Sequence, residues 1–337
     1  MSRASISESS AKGPYATAVR WWLFQNALVG TNPVLTGINP AADAWQVGRH
    51  IAYHAKAGRG YSTVKTYLAG IAHMHVIRGL PNPTTSPFVR KAMKAYRRAF
   101  GKAAKPKKAL TSWLLRKVNI AAGHRNERQT VIWAAILVAF NCALRGSEYA
   151  WKGGKDKIWN PAEGLTRGNV SFVFGDGREV YPTAMTLTIE TSKTDPWRFG
   201  NNFQIQYTGG PLCAVTAMWA AYNHPNVAGL PSSAPLFSIS GGPLLFRHVT
   251  AEIKRLASKV HGLDPKEFSS HSLRSGAATS LRAAGVDWDT IKILGRWRSD
   301  CSHLYSQIHP SELFKISNLM QNASASASTG TVSYSDL

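Results

Sequence analysis

The chain has 337 residues, 44% hydrophobic and 10% aromatic, which exceeds one ordinary domain and carries too much apolar mass for a disordered polymer. Forty Lys and Arg against 18 Asp and Glu leave a formal charge of +22, which points to a polyanion, nucleic acid foremost. No secretory leader, disulfide-rich spacing or apolar run of the roughly 20 residues that cross a bilayer accompanies that charge, so secreted and membrane classes are set aside. The expected location is nuclear or cytoplasmic.

Residues 1–12, rich in Ser, are expected to be a disordered leader, and 321–337, containing ASASASTG, a low-complexity tail. Apolar residues at helical spacing over Pro14–Leu28, Pro40–Lys56, Ser62–Arg78 and Pro87–Phe100, each preceded by Ser, Asn or Pro start signals, predict an all-helical domain over 13–100. From Arg90 to Lys108 the chain carries nine basic residues and no acidic one, ending in GKAAKPKKA. Segment 101–109 is therefore expected to be a basic linker. Arg90, Lys91, Lys94, Arg97, Arg98, Lys105, Lys107 and Lys108, with Lys65 in the preceding helix, are the candidate phosphate contacts.

Residues 110–320 are expected to form the second domain. Helical patterns at Leu110–Ala122 and Glu127–Cys142 come first; within the latter the apolar run Val131 to Phe140 is too short to span a bilayer and predicts a buried helix. Met185–Thr191 and Phe203–Tyr207 alternate around SKTDPWRFGN, which predicts a β-hairpin. Helices are expected at Leu212–Tyr222, Leu244–Val260, Ser272–Ala284, Trp288–Gly295, Ser299–Gln307 and Pro310–Met320. The fold class is mainly α with a small β-sheet: an all-helical domain, then an α+β domain. There is no internal repeat and no Walker or Rossmann glycine pattern. Cys142, Cys213 and Cys301 are too scattered for a disulfide framework or a zinc site, and no cofactor or metal is expected.

Four clusters carry residues fit for phosphate chemistry. In NCALRGSEYA, Arg145 follows the buried helix, with Glu148 in the same turn if that helix continues; a guanidinium can clamp two phosphate oxygens where an ammonium is a point charge. In ETSKTDP, Lys193 stands at the hairpin tip; such a lysine is commonly just solvated, but against a duplex it can protonate a departing 5′ oxygen. In HSLRSGAATSLRAAGVD, Ser269 or Ser270 can cap a helix whose first turns carry His271 and Arg274 on one face. In LGRWRSDCSHLYSQI, Trp297 precedes Tyr305 and Ser299 can cap the helix holding the tyrosine. A phenol with an ordinary pKa near 10 is a poor nucleophile unless nearby cations stabilise the phenolate.

In that order, Arg, Lys, His-x-x-Arg, Trp and Tyr, the chain resembles the tyrosine recombinase and phage integrase superfamily over roughly residues 14–320. ALRGSE is similar to the family's LR-x-SE box, and HSLRSGAATSLRAAGVDWDTIKILG to its H-x-LR box. The wording YSTVKTYLAGIAHMH, HSLRSGAAT and GRWRSD most resembles the recombinases of DIRS-type and Crypton-type mobile elements. The chain departs from the family at Ser275, where many bacterial members carry a further His, and after Gly295, where Arg296 fills the His/Trp position and Trp297 follows. Trp297 is assigned that role, with Arg296 a further cation if it points inward.

The resemblance implies a core-binding domain followed by a catalytic domain that together clamp double-stranded DNA. Tyr305 would attack a DNA phosphate to give a 3′-phosphotyrosine and a free 5′ hydroxyl. Arg145 and Arg274 would hold the non-bridging oxygens, Lys193 would protonate the leaving oxygen, His271 would handle the nucleophile's proton, and Glu148 would orient them. The amphipathic segment 310–320, with Leu313, Ile316 and Leu319, is expected to dock on a neighbouring protomer of a tetramer. The competing readings are a type IB topoisomerase, a domesticated integrase that binds DNA without cutting it, and a basic RNA-binding module, which lacks the ribonucleoprotein aromatic signature.

Overall fold

The computed structural model describes residues 11–101, 107–153, 158–175, 180–190, 200–225 and 227–297. The chain divides into two compact units, 1–105 and 106–337.

Among the described residues the first unit has four α-helices: α1 (Ala16–Leu28), α2 (Pro40–Lys56), α3 (Tyr61–Val76) and α4 (Pro87–Phe100). A π-helical turn, Ala11–Tyr15, precedes α1, so helical backbone begins inside the expected leader. Pro40 and Pro87 start their helices where a missing N–H costs nothing, and the Asn39 and Ser86 side chains accept from the N–H groups of Ala42 and Val89 at 3.1 and 3.2 Å. Trp22, Val47, Ile51, Leu68, Ile71 and Val89 fill the core. Helix α4 buries Val89 and Tyr96, and leaves Arg90, Lys91, Lys94, Arg97 and Arg98 exposed, as is Lys65 on α3.

In the second unit α5 (Ser112–Ala122) leads into α6 (Glu127–Asn141), which is buried on every side from Val131 to Ala139. A helix apolar all round must sit at the centre, and α6 packs against α8 (Ala214–Tyr222), α9 (Phe246–Ser258) and α10 (His271–Ala283). The one-turn α7 (Gly146–Tyr149) follows α6, and α11 (Trp288–Gly295) follows α10. The sheet has three antiparallel strands in the order β1 (Val170–Val173), β2 (Ala184–Ile189), β3 (Asn201–Gln206), with Leu187 paired to both Val170 and Phe203. The expected hairpin is thus β2–β3 with β1 added; β1 escapes sequence reading because four residues show too little alternation to stand out. A second small pair, β4 (Ser238–Ile239) with β5 (Gly242–Pro243), was equally illegible.

The end of the expected basic linker is built into this unit. Lys108 N–H donates to the Glu267 carbonyl at 2.9 Å, Leu110 N–H to the Ser272 carbonyl at 2.8 Å, and Ser112 N–H to Ser280 Oγ at 2.9 Å. Gly276 permits the approach, because a Cβ there would lie 2.0 Å from the Leu110 carbonyl oxygen. Leu110 therefore lies outside the helix, and α5 starts two residues later than its pattern suggested. Among the described residues no helix is long and apolar enough to cross a membrane.

In the first unit His50 and His54 are fully buried one turn apart, their ring centroids 4.5 Å apart, and His50 Nε2 and both His54 nitrogens lack hydrogen-bond partners. Trp21 and Tyr67 enclose His54, Gln25 Oε1 lies 2.6 Å from His50 Nδ1, and Arg59 stacks over Trp21. Burial, reinforced by His54, lowers His50 to about 3; burial, reinforced by Arg59, lowers His54 to about 4, both from an ordinary 6.5. Folded values this depressed mean that the stability is intact above pH 6.5 and lost as pH falls below it, when the unfolded chain takes up protons first. Going from pH 7 to 5 should therefore cost roughly 2 kcal/mol per histidine. Urea unfolding of His54→Phe should show a flatter pH dependence than the parent; identical slopes would refute this account.

Candidate active site

The site is assembled where α6 ends. Its last turn closes at Cys142, and Ala143, at φ 45, turns the chain out of helical register. Helix α6 therefore does not continue through Arg145 to Glu148, as the sequence reading allowed. Arg145 is instead extended and stands as N-cap of the separate α7, and Glu148 at the third position reaches back to it. Arg145 N–H donates to Glu148 Oε2 at 2.7 Å, and its Nη1 donates to Oε1 at 3.0 Å. Gly146 leaves room for the Phe246 ring, which a Cβ would meet at 2.1 Å.

Arg274 comes from the buried face of α10 and is only 6% exposed. Its Nη1 donates to the Ala143 carbonyl and its Nη2 to the Gly295 carbonyl, tying the end of α6 to the end of α11. The Trp297 ring lies over the Arg274 guanidinium at 4.4 Å and folds back on Gly295, where a Cβ would sit 2.0 Å from the indole.

Arg296 points inward: Trp297 stacks on Arg274, while Arg296 joins the arginine cluster. Its Nη2 donates to Glu148 Oε2 at 2.6 Å, its carbonyl accepts from Arg145 Nη2 at 3.1 Å, and its guanidinium lies 4.9 Å over the Phe203 ring. Burial lowers its pKa, and Glu148 counters that. Burial also pushes the neighbouring Cys142 thiol up to about 12, so it stays protonated.

Arg145, Arg274, Arg296, Glu148 and Trp297 thus converge. Of the four charged groups three are cations, so the cluster favours an anion. The Arg145 side chain keeps 18% of its surface open, enough to present guanidinium N–H groups to a phosphate. His271 is exposed at the first residue of α10, three positions before Arg274. The expected serine cap is not formed. The Ser270 hydroxyl is buried without a partner, and Ser272 Oγ accepts from Ser269 N–H at 3.0 Å instead.

Lys193, Tyr305, Lys105 and the expected helices Ser299–Gln307 and Pro310–Met320 lie outside the described residues. Lys107 and Lys108, expected on phosphates, also have protein partners. Lys107 Nζ donates to the Lys266 carbonyl at 2.6 Å, and Lys108 pairs with Glu267 at 2.6 Å. Phe203 and the carbonyls of Ala143 and Gly295 are neighbours of the site with no signal of their own in the sequence. Backbone acceptors have no residue signature; the visible hint was a glycine beside two of the arginines, Gly146 and Gly295.

Glu148→Ala should destabilise the protein by about 3–5 kcal/mol, because it leaves two guanidiniums facing each other without their shared carboxylate. Denaturant unfolding measures this, and a loss under about 1 kcal/mol, as for an exposed pair, would contradict the buried-bridge account.

No protein-family model matches the chain, and no curated protein matches it in sequence. Solved structures do match in three dimensions. The Tn1549 transposon integrase in complex with transposon right end DNA superposes with TM-score 0.57 at 15% identity, covering 94% of this chain and 96% of that one. The XerH site-specific recombinase bound to a palindromic difH substrate gives 0.55 at 10% identity, covering 93% and 79%. A lambda integrase dimer bound to a COC′ core site gives 0.51 at 14% identity, covering 90% of each. The chain has the mainly α fold, with small antiparallel sheets, that these integrases and recombinases share.

Proposed function

We propose that the chain is a site-specific DNA recombinase or integrase that cuts and rejoins strands through a 3′-phosphotyrosyl intermediate on Tyr305. The observation that carries this reading is the bond from Arg274 to Ala143, 131 positions away, which brings both arginines of the expected phosphate grip to one turn of chain. The shared fold supports it, and so do the DNA complexes of the proteins that share it.

In this mechanism Arg145 and Arg274 bind the non-bridging oxygens of one phosphate, and Trp297 closes the site beside them. The Tyr305 hydroxyl attacks phosphorus as His271 takes its proton. The bond to the 5′ oxygen breaks, and Lys193 protonates that oxygen. A 5′ hydroxyl from a partner strand then reverses the sequence, releasing the tyrosine. The phosphotyrosyl bond conserves the phosphodiester's free energy, and fixed cations stabilise the charge that develops on the phosphoryl oxygens. Glu148 orients Arg145.

Double-stranded DNA is the partner, gripped in part by the exposed basic face of α4 and by Lys65. Self-association through segment 310–320 into a tetramer, relationship to DIRS-type or Crypton-type elements, and action in the nucleus or cytoplasm belong to the same reading.

Incubation with nicked suicide duplexes should trap a covalent protein–DNA adduct that disappears in Tyr305→Phe. An adduct that survives that substitution would assign the chemistry to another residue. DNA affinity should fall by about three to five orders of magnitude between 50 and 200 mM salt if six to ten phosphates are contacted; a flat salt response would remove the electrostatic part of the proposal.

A further inference from the structure

Arg296 occupies a backbone conformation that L-residues avoid, φ 54 and ψ 46, at the end of α11 where glycine is the usual choice. The chain keeps a long charged residue there, and buries it: the side chain is 8% exposed, and its Nε and Nη1 lack hydrogen-bond partners. Neither backbone preference nor desolvation favours that choice. Such local disagreement marks positions retained for something other than stability.

Three contacts indicate what is retained. The side chain of Arg296 bonds Glu148 Oε2, the oxygen that also accepts the Arg145 N–H. Its carbonyl receives Arg145 Nη2. Its guanidinium face lies on Phe203 of β3, one of the two strands that lead to the segment carrying Lys193. One residue therefore touches the turn holding Arg145 and the sheet, while standing at the end of α11. If Arg296 released Oε2, only the Arg145 N–H would still hold that oxygen, and the Glu148 carboxylate could swing further onto the Arg145 guanidinium and pull it out of place.

We infer that Arg296 is a positioning residue for strand cleavage: it holds Glu148 and Arg145 in register with β3 and does not itself grip DNA. This rests on the recombinase reading for its functional consequence, though the geometric part stands apart from it.

Arg296→Gly relieves the left-handed backbone and keeps the carbonyl that Arg145 uses, so the protein should fold, with a loss of DNA affinity far smaller than the loss of cleavage rate. Single-turnover cleavage of a suicide duplex should slow on the order of a hundredfold, the scale of a 1 Å misplacement of a catalytic group. Arg296→Lys should recover only part of the rate, because it restores charge but not the planar fork. Phe203→Leu should slow cleavage alone and add little to Arg296→Gly, since both act through one contact. Cleavage at the parental rate in Arg296→Gly, or an affinity loss as large as the rate loss, would overturn the inference. If Arg296→Gly fails to fold, Arg296→Lys and Phe203→Leu decide by the same criteria. If the parent protein forms no adduct on any duplex, the recombinase reading fails separately. The inference is then judged by the Arg145 side-chain ¹⁵Nε–¹H resonance of the free protein, which must shift in the Arg296 variant used; an unmoved resonance would sink it.

Discussion

Like charges must be brought together to hold a phosphate, and a protein can do so only if something other than the phosphate already holds them. Here Glu148 and three backbone carbonyls serve. Glu148 divides its two oxygens between Arg145 and Arg296, while the carbonyls of Ala143, Gly295 and Arg296 each take a guanidinium N–H. Backbone carbonyls carry partial charge and cannot titrate, so they fix cations without cancelling them. A second carboxylate in their place would pair Arg274 and oppose the anion the site is built to receive.

The rest of the second unit exists to make those carbonyls available. Helix α6 is apolar all round and buried at the centre, so the turn that ends it is anchored by the whole core. Ala143 then takes a left-handed conformation that breaks the helix and turns its carbonyl to Arg274. Helix α10 lies close because Gly276 admits the Leu110 backbone, and this fixes the height at which Arg274 emerges. Helix α11 closes the ring, capped by Asp287 at its start and ending at Arg296. Long-range packing thus converts three distant arginines into one local feature.

Which parts were legible in the sequence follows from how each signal is encoded. The helices of the first unit and α6 show through apolar spacing and Pro, Ser and Asn starts, because burial periodicity and capping are local properties. Arg145, Glu148 and Arg274 stood out by residue type and order. Arg296 pointing inward did not, because its direction depends on a left-handed backbone and on Glu148, which is 148 positions away. Phe203 looked like any strand residue until β3 brought it under Arg296. The break at Ala143 was equally hidden, since alanine favours helix and only tertiary contact makes it turn. The serine cap of α10 failed for a related reason: Ser270 is helical and buried, so its hydroxyl cannot reach back.

Strand cleavage at this site requires one phosphorus atom to lie among these guanidiniums. The most direct measurement is the structure of the protein trapped on a nicked duplex. It should show one phosphate with its non-bridging oxygens roughly 3 Å from N–H groups of both Arg145 and Arg274, joined to the Tyr305 oxygen. A duplex bound with that phosphate elsewhere and both arginines still turned wholly onto the protein would contradict it.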